Sequence, residues 1–139
     1  MLYENNSIVA STHEQRWIEG LNQGDLSVAQ EVFHPDCVIH INGGPKKDLS
    51  LEEFKGMLTG FLTAFPDMHF TVEDQVMDGQ KVSSRWHATA THTAPLGQLP
   101  ATGRSVEIDG IIIDHLEDGK VSERWEVWDQ AAMMQQLGM

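Results

Sequence analysis

The chain of 139 residues is 40% apolar, contains four Trp and carries a formal charge of −12. That length suits one globular α+β-sized domain, which buries about two thirds of its unfolded surface. The acidity excludes nucleic acid and anionic membrane as partners, because both demand clustered cations.

At the start, MLYENNSIVAS lacks the basic head and apolar core of a signal peptide. No apolar run approaches the roughly 20 residues needed to span a bilayer. From Ser7 to Gln23, residues Val9, His13, Trp17, Ile18 and Leu21 fall mostly at helical spacing, and Gly24 ends the run. Asp25 can cap a short second helix, LSVAQEVF, which His34-Pro35 would break. Cys37–Ile41 reads as a short strand, turned away by Asn42-Gly43-Gly44-Pro45. Cys37 is the only cysteine, so no intrachain disulfide can form. It reads as a buried structural thiol in a reducing compartment, the cytoplasm.

Ser50 and Glu53 form a capping box for a third helix. Its wide apolar stripe carries Leu51, Phe54, Leu58, Phe61, Leu62 and Phe65, and Pro66 follows its end. From Met68 the apolar period changes to two, with strands expected over 68–77, 80–93, 105–116 and 120–129. A short amphipathic end, AAMMQQLG, follows, with Asp129 as its cap. Helices followed by long strands give an α+β class. The expected architecture is one domain, a cone-shaped curved antiparallel sheet covered by three N-terminal helices.

The last two strands form a hairpin around Glu117-Asp118-Gly119-Lys120. A type I turn with Gly119 in the left-handed region would pair Ile112 with Arg124, Gly110 with Glu126 and Ile108 with Trp128. A tight Asp-Gly turn would instead place Glu126 opposite Ile111; the bulged turn is preferred because a type I turn followed by Gly fits this loop. One face then gathers Ile108, Gly110, Ile112, Arg124, Glu126 and Trp128, an ionisable pair set in apolar surface that suits a pocket. In strand 80–93, Val82, Ser84, Trp86, Ala88, Ala90 and His92 face the helices, and their small side chains leave room for a cavity. Arg85 and His87 point outward. Phe54, Leu58 and Phe61 would close the cavity from the third helix.

Glu126 is the sharpest candidate for chemistry. Desolvation beside Ile108, Ile112 and Trp128 would make it a usable base near neutral pH. A structural ion pair with Arg124 is the competing role. His40, beside Val38, reads either as a hydrogen-bonded core residue or as an assisting acid/base. The seven His and the acidic residues show no closed ligand spacing, so no metal or other cofactor is expected. Gly-rich phosphate loops, dinucleotide motifs and nucleophile elbows are absent from the sequence.

The segments FHPDCVIHINGG, LTAFPDMHFTVED and THTAPLGQLPATGRSVEIDGIIIDHLEDGKVSERWEVWDQAAMMQQLG together resemble the SnoaL-like polyketide cyclases. That family belongs to the superfamily of nuclear transport factor two, ketosteroid isomerase and limonene epoxide hydrolase. The most specific features are the Pro-x-Thr-Gly loop, the DGK hairpin, the Glu-x-x-Trp-Asp stretch and the terminal Gln-Leu-Gly. The resemblance implies an α+β cone and a dimer through the outer face of the sheet. It also implies that an acidic residue on the last strand acts as acid/base in an aldol closure, the matching position being Glu126. The His that assists in those enzymes matches Ile112 here, while His40 lies near the position where ketosteroid isomerases keep a proton-shuttling carboxylate. Arg124, Glu126 and Asp129 loosely resemble the Asp-Arg-Asp set of limonene epoxide hydrolase.

The expectation from the sequence is a cofactor-free enzyme moving a proton on an apolar, carbonyl-bearing small molecule. Glu126 and His40 would be catalytic, with Trp86, His92, Ile112, Arg124, Trp128, Phe54, Leu58 and Phe61 lining the substrate. The competing expectation is a non-catalytic binding module that uses the same cavity.

Overall fold

The computed structural model describes residues 12–42 and 48–139. The first turn of the expected N-terminal helix and the Gly43-Gly44-Pro45 turn lie outside these. Helix α1 (Thr12–Asn22) leads to a 3-10 turn (Leu26–Val28) that runs directly into α2 (Ala29–Val32). Strand β1 (Phe33–Asn42), the two-residue β2 (Asp48–Leu49), helix α3 (Leu51–Ala64), strands β3 (His69–Asp78), β4 (Lys81–Thr91), β5 (Ser105–Glu117) and β6 (Lys120–Trp128), and helix α4 (Gln130–Gln136) complete the order.

The helix ends follow from local chemistry. The Asp25 carboxylate accepts from the Ser27 N–H at the 3-10 turn. Ser50 and Glu53 close the capping box of α3 in both directions. Asp129 accepts from the Ala132 N–H, which makes it the cap of α4. Along α1 the buried stripe is His13, Glu14, Trp17, Ile18 and Leu21, so a carboxylate is carried inward with the apolar residues.

Six strands pair in the order β2-β1-β6-β5-β4-β3, forming a curved, unclosed sheet with the helices against its inner face. Strands β3 to β6 are an antiparallel meander. β1 extends the sheet in parallel with β6, a pairing that strand patterning alone does not announce. Apolar side chains gather in two clusters, one where α1 and α2 meet β1, the other where the end of α3 and α4 meet β4 and β5. Cys37 is buried in the first, and burial raises its thiol pKa, as expected of a structural cysteine. Among the described residues, no helix is long and apolar enough to cross a membrane.

The hairpin departs from both expected registers. Asp118 and Gly119 both take positive φ, at 53° and 79°, so the loop is a tight two-residue turn of the primed type. Glu117 pairs with Lys120 and Leu116 with Val121, but His115 pairs with Glu123, so Ser122 is an extra residue on β6. Its hydroxyl donates to the His115 carbonyl. Beyond this bulge Ile112 lies opposite Glu126 and Gly110 opposite Trp128. The turn and the partners therefore differ from the preferred reading, yet the bulge restores the parity that a two-residue turn alone would invert. Arg124 and Glu126 consequently face inward together.

Candidate functional site

A cavity of about 60 Å³ lies between α3 and the inner face of the sheet. Phe54, Leu58 and Phe61 come from α3, Phe70 from β3, Trp86 from β4, Ile108 from β5, and Glu126 and Trp128 from β6. Ile41 of β1 lines it beside Glu126, its register partner. Among the described residues, Glu126 is the only ionisable one in this lining.

Trp86 is seated by a glycine. Gly110 pairs with it across β4 and β5, and a Cβ added at Gly110 would come within 2.3 Å of the indole ring. The ring therefore covers Gly110, with Phe70 packed at 5.5 Å between centroids. Its indole N–H is buried and meets no acceptor at full hydrogen-bond geometry, although it lies near enough to the Glu126 carboxyl to lower that group's pKa.

Behind Glu126 runs a buried polar network. Arg124, with its side chain 1% exposed, donates from Nε to Asp114 Oδ1 at 2.7 Å and from Nη2 to Asp114 Oδ2 at 2.9 Å. Nη2 also donates to Glu14 Oε1 at 2.6 Å. His13 Nε2 lies 2.8 Å from Asp114 Oδ2, and the guanidinium sits 4.9 Å over the Phe33 ring. Burial alone would lower the Arg124 pKa, but Asp114 and Glu14 outweigh it and hold the cation firmly protonated. Burial would likewise raise the Asp114 pKa, and Arg124 and His13 outweigh that to keep it ionised.

Glu126 stands apart from this pairing. Its Oε1 forms a loose ion pair with Arg124 Nη1 at 4.0 Å, too far for a hydrogen bond, and has no hydrogen-bond partner. Burial pushes its carboxyl up to about 7 from 4.5. Arg124 works against that rise, Glu14 and Asp114 reinforce it, and the nearby Trp86 N–H opposes it more weakly. A carboxyl with this affinity for protons can both take and return one at neutral pH.

The structure brings together most of the residues singled out from the sequence. Phe54, Leu58, Phe61, Trp86 and Trp128 line the cavity with Glu126. Ile112 and Arg124 line a smaller chamber behind it. Two residues stand elsewhere. Ile41, not His40, is the β1 partner of Glu126, so strand alternation turns His40 to the outer face. There it bonds Asp48 at 2.8 Å and Glu123 at 2.7 Å and stacks on Trp125, and Glu123 and Asp48 raise its pKa. His40 and Glu126 still border one surface pocket, together with Asp48 and Trp125. His92 lies beyond the end of β4, tilted at 5.1 Å against Phe65 of the second apolar cluster, with Nδ1 accepting from the Thr102 N–H. It does not line the cavity.

Sequence reading missed Glu14 and Asp114. Both carried a signal: Glu14 lies one turn before Ile18 on the buried stripe, and Asp114 is in phase with Ile108 and Ile112. Together with His13 they form a group whose ligand atoms lie within 4.8 Å of one another. Arg124 already bonds both carboxylates, so a metal ion there would stand against a guanidinium.

Residues 11–137 match the family model of the SnoaL-like polyketide cyclases, and the chain belongs to that family. It is similar to IdmH of Streptomyces antibioticus, described as a "putative polyketide cyclase", at 32% identity and a TM-score of 0.83, over 94% of this chain and 99% of that one. AclR of Streptomyces galilaeus, described as a "putative hydroxylase", matches at 25% identity and a TM-score of 0.84, over 95% and 97%. A "putative polyketide cyclase" of Acidithiobacillus ferrooxidans matches at 25% identity and 0.79, over 93% and 94%. No functionally curated protein matches the chain.

Proposed function

We propose that this protein is a small cofactor-free enzyme that moves a proton on an apolar, carbonyl-bearing molecule, with Glu126 as its acid/base. One observation carries the reading: a single carboxyl, held near neutral by burial, faces an otherwise apolar cavity. As a carboxylate, Glu126 removes a proton from the carbon beside the carbonyl. As an acid, it returns that proton to the alkoxide oxygen formed in an aldol cyclisation or to another carbon of the enolate in an isomerisation. In a hydration it takes the proton from the attacking water and delivers it to carbon. The aromatic walls of Phe54, Phe61 and Trp128 hold the body of the substrate by burial alone.

The working unit is proposed to be a homodimer in the cytoplasm. On the outer face Ile111, Ile113, Trp125 and Val127 are exposed together, an apolar patch that a second copy would cover. The lone Cys37 suits a reducing compartment.

The test uses a panel of small cyclic and aromatic ketones in deuterated buffer, following exchange of the proton beside the carbonyl by NMR. The wild type is expected to accelerate exchange for at least one ketone, and Glu126→Gln to abolish it while binding persists. Ketones bound by both proteins with no exchange above background would make the chain a binding module instead.

A further inference from the structure

Behind the main cavity is a second chamber of about 30 Å³, whose lining includes Glu14, Trp86, Arg124 and Glu126. Three of these bring a buried polar atom without a hydrogen-bond partner: Glu14 Oε2, Trp86 Nε1 and Glu126 Oε1. A buried polar atom left unpaired is costly, and three in one lining point to a common ligand. The set consists of two carboxylate oxygens and one N–H donor. An anion would be repelled by the carboxylates. A metal ion or an ammonium could not accept from the indole. A hydroxylic oxygen matches on every count: water accepts from Trp86 and donates to both carboxylates, and an alcohol hydroxyl accepts from Trp86 and from protonated Glu126 while donating to Glu14. The chamber is also large enough, because a water needs on the order of 10–15 Å³ and two to four polar partners.

We propose that this chamber binds one hydroxylic oxygen, bridging Trp86 Nε1, Glu14 and Glu126, and that Glu14 thereby positions the proton of Glu126. Water supplies the oxygen in the free protein, and a hydroxyl of the ligand displaces it on binding. This rests on the reading of Glu126 as the acid/base of the cavity. Besides Glu14 on α1, the groups that face Glu126 are Arg124 on its own strand, Asp114 on β5 and Trp86 on β4. Glu14 is the one of these that keeps an oxygen free to take part in a bridge while its other oxygen is held by Arg124. Its charge also favours the protonated form of Glu126.

Water–protein NOE spectroscopy on the ligand-free protein tests this, with Trp86→Phe identifying the Trp86 indole signal. The expected result is a cross peak between that N–H and water, of the sign given by a molecule resident for nanoseconds or longer. Glu14→Gln is expected to weaken the peak and to move the Glu126 carboxyl midpoint down, read by carbon-detected NMR. Absence of the peak in the wild type overturns the proposal, whether or not Glu14→Gln folds. An unchanged midpoint in a folded Glu14→Gln overturns the positioning role. Added phenol is expected to displace the water peak, while toluene, which carries no hydroxyl, leaves it. A peak that survives saturating phenol overturns the part assigned to the ligand hydroxyl. These readouts need no turnover, so a protein with the bound water and no proton exchange on the ketone panel would refute the proposed function alone.

Discussion

Replacing Glu126 with Gln should make the protein more stable in alkaline solution. The carboxyl titrates near 4.5 when unfolded and near 7 when folded, raised first by burial. Between these values the folded state keeps a proton that the unfolded chain has lost, so stability falls as pH rises through that window. At about 1.4 kcal/mol per unit, the raised value costs about 3 kcal/mol once pH is well above 7 and nothing below 4.5. Gln keeps the shape and cannot ionise, so the variant escapes this loss. His40 and His87, also raised by acidic partners, weaken the fold in the same direction as pH rises, which is why the difference between two proteins is the right quantity. The assay is urea unfolding of both proteins at one fixed concentration, near pH 4.5 and near pH 8.5. The expected difference is close to zero at the lower pH and about 3 kcal/mol in favour of Gln at the higher. A difference that does not change with pH, or a variant weaker at high pH, would refute the argument that Glu126 is buried against its own charge.

Gly110→Val puts a Cβ 2.3 Å from the Trp86 ring, and overpacking of this kind costs about 1–3 kcal/mol; urea unfolding should show that loss, with Trp86 displaced from the cavity wall. Arg124→Met leaves Asp114 and Glu14 buried without their cation, a loss of about 3–5 kcal/mol that thermal unfolding would report. Trp125→Glu, on the exposed apolar face, is expected to convert a dimer to monomers in sedimentation without changing the Glu126 midpoint. Chelator should leave stability and turnover unchanged, and stoichiometric zinc or iron in the purified protein would contradict the cofactor-free reading.

Alternation along β4, β5 and β6 was enough to decide which residues face the helices, because the side-chain period of a strand is two wherever its partner lies. That is why Trp86, Ile108, Ile112, Arg124, Glu126 and Trp128 could be assigned to one face even though the turn was misread. The real loop is one residue tighter than expected, and the Ser122 bulge restores the parity, so the face survives while every partner shifts. The caps at Asp25, Ser50 and Asp129 were equally legible, being contacts between neighbours in the chain. The fate of the charges was not. Strand periodicity cannot say that β1 joins β6 in parallel with Ile41 beside Glu126, and that pairing is what sends His40 outward to Asp48 and Glu123. Nor can it say that α1 docks Glu14 against Arg124, 110 residues away in sequence. A buried charge is tolerable only when its partners arrive from other elements, so its role is settled by the packing of helix on sheet.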